Sequence, residues 1–216
     1  MMAIPNGYEY VVIEGNIGSG KTTLTKLLAE QWNTRIMLEE FKDNPFLPKF
    51  YENPKQHGFA LELSFLAERY HQKRDELNRT DLFKPGIICD YSFAKSLVFA
   101  RINLDPDEFE LYQNLFSIIH GRLPKPDLLL FLYCSPEKSL RQIKHRGREY
   151  EQEISLDYLA NINKGYLEFF RQQTGTKIVV LNTDELDFVK SESDLEKIIT
   201  VIEKEFELGM QIIETC

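Results

Sequence analysis

The chain has 216 residues, a formal net charge of −8, and a composition that is 43% hydrophobic and 28% charged. That length suits one domain with a full core, and the composition is ordinary for a globular protein. The acidic balance excludes a chain-wide electrostatic footprint for nucleic acid, and no apolar stretch is long enough to span a membrane as a helix. In chain order, residues 10–13 are a β-branched and aromatic run that predicts a buried strand. Residues 23–31 carry leucines at 24, 27 and 28 on one helical face. A short second strand over 35–38 ends at Glu39-Glu40. Asp43-Asn-Pro45 turns into a short helix near 49–52, which Pro54 breaks. Residues 56–78 place Phe59, Leu63, Leu66 and Tyr70 at helical spacing. A third strand over 87–89 ends at Asp90, and helices are expected over 92–101 and 107–120. Pro124 and Pro126 precede the clearest strand, 127–133. A helix over 137–144, a charged segment over 145–152, a helix over 154–172, a strand over 177–181 and a last helix over 191–210 complete the chain.

Five strands alternating with helices predict an α/β fold: a five-stranded parallel sheet with helices on both faces, as one domain over 1–216. The start of the chain lacks the apolar segment of a signal peptide, so the expected compartment is cytoplasmic. Cys89, Cys134 and Cys216 have no metal-ligand spacing; Cys89 and Cys134 read as buried thiols.

Gly15-x-x-x-x-Gly20-Lys21-Thr22 follows the first strand and opens the first helix. This is the phosphate-binding loop pattern in its required strand–loop–helix setting. Its amides and the helix N-terminus face an anion, Lys21 reaches the β- and γ-phosphates, and Thr22 offers a hydroxyl to Mg²⁺. A nucleoside triphosphate is therefore expected on Gly15, Asn16, Ile17, Gly18, Ser19, Gly20, Lys21, Thr22 and Thr23.

Other residues add chemistry to that site. Glu39, at a strand's carboxyl end, can orient a hydroxyl and accept its proton, with Glu40 beside it as the competing carboxylate. Arg146 and Arg148 flank Gly147, an arrangement suited to closing over phosphate. Glu62 and Arg69 are seven apart and share a helix face. An ionised carboxylate only accepts hydrogen bonds, so Glu62 would pair with Arg69, face solvent, or meet a ligand edge with two adjacent donors, as in guanine or a pterin.

In these motifs the chain resembles the deoxynucleoside kinase family of P-loop kinases. The resemblance runs through the loop, Glu39, Asp43-Asn-Pro45, Phe50-Tyr51, Arg69, Asp90-x-Ser92, Pro126-Asp127, Ser135-Pro-Glu137, Arg146-Gly-Arg148 and Glu151-Gln152. It implies a three-layer P-loop fold with an arginine-rich lid over about 145–152. It implies transfer of the ATP γ-phosphate to the 5′-hydroxyl of a deoxynucleoside, with Glu39 as the base and Lys21, Asp90 and Arg146 beside it. It further implies that Tyr51 and Glu151 hold the sugar 3′-hydroxyl, that Arg69 joins Glu62 at a purine base, guanine favoured, and that Asp184 lies in the adenine loop. The partner implied is a small nucleoside, with no nucleic acid or membrane, and the assembly a homodimer through helices 92–101 and 107–120. Three positions depart from the family pattern: Glu62 stands where glutamine is usual, Gln142 stands where a further arginine is frequent, and Tyr91 replaces the arginine of an acidic–arginine–serine motif. Two other readings fit part of the pattern: a thymidylate-like nucleoside monophosphate kinase, and a non-catalytic nucleotide-binding subunit.

Overall fold

The structure, a computed structural model, describes residues 4–40, 44–79, 81 and 83–214. Asp43 and Cys216, both named above, lie outside the described residues. A six-stranded parallel sheet runs in the order β2-β3-β1-β4-β5-β6. The strands are β1 (Tyr10–Gly15), β2 (Arg35–Met37), β3 (Ile87–Cys89), β4 (Leu128–Tyr133), β5 (Lys177–Asn182) and β6 (Gly209–Ile213). The helices are α1 (Lys21–Gln31), α2 (Phe46–Glu52), α3 (Pro54–Leu77), α4 (Lys95–Asn103), α5 (Pro106–His120), α6 (Pro136–Arg146), α7 (Leu156–Arg171) and α8 (Glu192–Ile202).

Period-two alternation in β1 builds the layers. Val11 and Ile13 point into a core with Leu24 and Leu28 of α1 and Ile198 and Ile202 of α8. Tyr10 and Val12 point the other way, toward Val98 of α4 and Ile162, Tyr166 and Phe170 of α7. The central strands are covered on both faces, which is why β1 and β4 read as continuous apolar runs.

One expectation is corrected. The sheet has six strands rather than five, because the last helix ends at Ile202 instead of running to residue 210. Apolar Phe206 and Met210 continued the helical spacing in the sequence, yet Gly209 adopts φ +100° and the chain then pairs with β5 as a parallel edge strand. Elsewhere Pro54 divides two helices by opening α3 at its first turn, where Asn53 caps it.

Candidate active site

β1 delivers the chain at the sheet's carboxyl edge, and α1 takes it up at Lys21. Between them Gly18 and Gly20 hold φ of +81° and +85°. A Cβ on Gly18 would stand 2.6 Å from the Ser139 carbonyl oxygen, and one on Gly20 2.8 Å from the Phe188 ring. Only glycine satisfies both the angle and the space. No side chain caps the first turn of α1, so its amides stay available to an anion. The Ser19 hydroxyl is buried and unpartnered. Asn16 instead braces the loop: it accepts from the Ile17 N–H at 2.7 Å and donates to Asn163 and the Leu159 carbonyl, both at 2.8 Å.

The loop separates two clefts. An inner one is lined by Lys21, Thr22, Glu39, Tyr51, Glu62, Arg69, Asp90, Glu151 and the apolar Leu47, Phe50, Leu61 and Phe65. An outer one is lined by Gly20, Thr23, Arg141, Gln142, Asp184 and Phe188. Gly18 and Arg146 border both. Asp184 is fixed at the outer rim by accepting the Ser135 N–H at 2.7 Å.

At the inner end of the loop, polar groups form a chain. Lys21 Nζ donates to the Asn16 carbonyl at 3.1 Å. Burial first, then repulsion from Lys95, push its pKa down to about 8. The Thr22 hydroxyl donates to Asp90 Oδ2, and Asp90 Oδ1 accepts the Glu39 N–H at 2.7 Å. Glu39 is held by two cations: Arg69 reaches Oε1 at 2.7 Å from α3, and Lys95 reaches Oε2 at 2.6 Å from α4. Burial opposes ionisation of Glu39, yet Lys95, Arg69 and Lys21 outweigh it and hold the carboxyl far below the usual carboxylate range. Arg69 also donates to Ser96 at 2.8 Å, so its fork serves Glu39 and not Glu62.

The far end of the inner cleft differs. Glu62 Oε1 accepts from Asn103 Nδ2 at 2.7 Å, and Asn103 Oδ1 accepts from the Tyr158 hydroxyl at 3.0 Å. Glu62 Oε2 is buried without a partner. Burial pushes the Glu62 carboxyl up to about 7, against the pull of Arg69 and Asn103. Glu40 is absent from this cleft and borders a separate groove with Glu68, Asp75 and Glu76.

Between the ends, α6 stops at Arg146, and Gly147 turns the chain at φ +74°. Arg146 and Arg148 both pair with the buried carboxylate of Glu151, and Tyr150 stacks on Tyr51 with centroids 5.8 Å apart. Burial raises the Tyr51 phenol, and Tyr158 and Glu151 raise it further.

A sequence model described as deoxynucleoside kinase matches residues 11–207. The chain belongs to the deoxynucleoside kinase family. Among its relatives, the deoxyguanosine kinase of Bacillus subtilis (strain 168) is 35% identical over 199 residues, covering 89% of this chain and 95% of that one. The deoxyadenosine kinase of Dictyostelium discoideum is 36% identical over 200 residues, covering 92% and 79%. The structure of deoxyadenosine kinase from M. mycoides with bound dATP aligns with a TM-score of 0.77 at 25% identity, covering 90% of this chain and all of that one. This deoxynucleoside kinase accordingly shares the family's P-loop architecture and its chemistry, phosphoryl transfer to a deoxynucleoside.

The structure gathers Lys21, Thr22, Glu39, Tyr51, Glu62, Arg69, Asp90, Arg146, Arg148 and Glu151 around one cleft. It also shows where Tyr91 goes, and it brings in Lys95, Asn103 and Tyr158, which the sequence reading did not single out. Tyr91, in the position where the family pattern has arginine, is fully buried beneath Lys73, whose Nζ lies 4.2 Å from the ring centroid; the phenol donates to Gln72 at 2.6 Å. Lys95 of α4 is a further cation lining the inner cleft. A lone lysine inside the apolar segment Phe93-Ala-Lys-Ser-Leu-Val was the available signal. Asn103 and Tyr158 gave none, because they meet Glu62 only through the packing of α3, α4 and α7.

Proposed function

We infer that this enzyme transfers the ATP γ-phosphate to the 5′-hydroxyl of a purine deoxynucleoside, with guanine preferred. The observation that carries the reading is the pair of clefts meeting at the phosphate loop, with Gly18 and Arg146 on both. A donor in the outer cleft and an acceptor in the inner one would bring their reacting groups together at Lys21. Glu39, ionised in its cleft, takes the hydroxyl proton, and Arg146 with Arg148 cover the transferring group. Tyr51 and Glu151 hold the sugar. Thr22 and Asp90 form a hard oxygen pair that would hold Mg²⁺ together with the bound phosphates. That ion would neutralise phosphate charge; positioning falls to the loop and Lys21.

The guanine preference rests on Glu62 Oε2, an acceptor buried in an apolar cleft with no donor of its own. Guanine N1–H and its 2-amino group supply adjacent donors, and leaving such an acceptor unmet costs about 1–3 kcal/mol. The relatives named for deoxyguanosine include those of Bacillus subtilis and Lactobacillus johnsonii, at 35% and 33% identity. A homodimer fits α5, whose Leu111 and Ile118 are seven apart and exposed at 53% and 64%. A cytoplasmic setting accords with the absence of any membrane-length apolar helix among the described residues.

The test is product analysis with γ-labelled ATP and Mg²⁺ over the four deoxynucleosides, dTMP and dGMP. The expected product is a labelled 5′-monophosphate, greatest for deoxyguanosine. Diphosphates from dTMP or dGMP alone would establish a monophosphate kinase, and ATP binding without transfer a non-catalytic subunit.

A further inference from the structure

Lys95 projects from the first turn of α4 into the inner cleft, where its side chain is 8% exposed. Its Nζ lies 2.6 Å from Glu39 Oε2, on the carboxylate oxygen that Arg69 does not take. Arg69 alone matches the single charge of Glu39, and it does so with two nitrogens on Oε1, at 2.9 and 2.7 Å. The neighbouring buried carboxylates Asp90 and Glu14 accept from Thr22 and from backbone N–H groups, so the Lys95 ion pair is with Glu39 and its charge lies where a phosphoryl group would arrive. Lys95 is also close enough to Lys21 to be the strongest charge acting against that lysine's protonated form. Through Glu39, whose N–H meets Asp90 and through it Thr22, Lys95 sits at the phosphate end of the cleft rather than the base end, where Asn103 and Tyr158 engage Glu62.

We propose that Lys95 is a catalytic residue of this kinase: it holds the Glu39 carboxylate in the acceptor's path and supplies positive charge to the phosphoryl group during transfer. The inference rests on the 5′-kinase reading above. In the step, the 5′-oxygen forms a bond to the γ-phosphorus, and the bond to the β,γ-bridging oxygen breaks with its electron pair leaving on the diphosphate. The hydroxyl proton passes to Glu39. As Glu39 becomes neutral, the Lys95 ammonium is left to the equatorial phosphoryl oxygens. Its contribution is electrostatic and greatest when charge is spread over the transferring group.

The experiment is steady-state kinetics with Mg–ATP and deoxyguanosine for wild type, Lys95→Met, Lys95→Arg, Glu39→Gln and the double variant Glu39→Gln/Lys95→Met. Lys95→Met is expected to lower kcat by about 10²-fold or more, with both KM values within about threefold. Lys95→Arg should recover kcat to within about tenfold of wild type. In the Glu39→Gln background, Lys95→Met should cost far less than it does alone, because the two side chains act as a unit. Lys95→Gln carries the same expectation as the methionine variant and replaces it where methionine abolishes folding. Any of three results overturns the proposal: kcat within about threefold of wild type, a loss confined to KM, or additive losses in the double variant. Loss of folding in both neutral variants would assign Lys95 a structural role and also overturn it. Wild type that makes no 5′-monophosphate refutes the kinase reading itself; active wild type with an equally active Lys95→Met refutes only the role of Lys95.

Discussion

The two ends of the inner cleft treat a buried glutamate in opposite ways. At the phosphate end, Glu39 has Arg69 on one oxygen and Lys95 on the other, and it stays ionised despite burial. At the far end, Glu62 receives one hydrogen bond from Asn103, keeps one oxygen unpartnered, and has a carboxyl pKa near 7. Under the proposed function, the same side chain serves two tasks. A base must be charged and oriented before the acceptor arrives, and surrounding cations arrange that in advance. A reader of ligand edges must instead leave a demand that only the right ligand meets, and an orphaned acceptor in an apolar cleft does so.

The largest effect expected from breaking this contrast is at Glu39. Glu39→Gln retains size and hydrogen bonding but removes the proton acceptor, and kcat should fall by about 10²–10⁴-fold with Mg–ATP binding preserved. Isothermal titration beside single-turnover kinetics measures both. At the other end, Asn103→Ala removes the donor to Glu62 and the link to Tyr158. It should raise KM for deoxyguanosine by about tenfold while kcat stays within about threefold, the signature of lost binding rather than lost chemistry. Equal losses in kcat at both ends would erase the distinction.

The smallest effect is on stability and depends on pH. The folded pKa of Glu62 is about 7 against an ordinary 4.5. Below pH 4.5 the group is protonated in both native and unfolded chains. As pH rises from 4.5 to 7 the unfolded chain ionises first, so the native state loses stability, and above pH 7 the loss is complete. Glu62→Gln does not titrate. Its melting temperature relative to wild type should therefore rise between pH 5 and pH 8, by an amount equivalent to about 1–3 kcal/mol in the ligand-free protein. A pH-independent difference would show that burial does not disfavour the Glu62 charge.

The phosphate end was the more legible of the two in the sequence, and the reason is physical. Gly18, Gly20, Lys21 and Thr22 are fixed by contacts within one short loop, so their spacing alone announces the geometry. The buried strands and the apolar helix faces that cover them likewise follow from local apolar periodicity, whereas the strand order does not. The Glu39–Arg69–Lys95 cluster joins residues from three distant segments, and spacing put Arg69 on the face of Glu62 although its fork reaches Glu39. Tyr91 signalled a missing cation, yet the lysine that occupies the cleft lies four residues further on, hidden in an apolar helix. The last strand escaped notice because its apolar residues kept a helical period across the break at Gly209.

The most direct test is a competition at pH 8, with deoxyguanosine, deoxyadenosine and deoxycytidine in one reaction and wild type compared with Glu62→Gln. Wild type should make dGMP fastest. In the variant, whose amide both donates and accepts, the deoxyguanosine advantage should shrink by about tenfold or more relative to deoxyadenosine and deoxycytidine. An unchanged ranking, or wild type that prefers deoxycytidine, would contradict it.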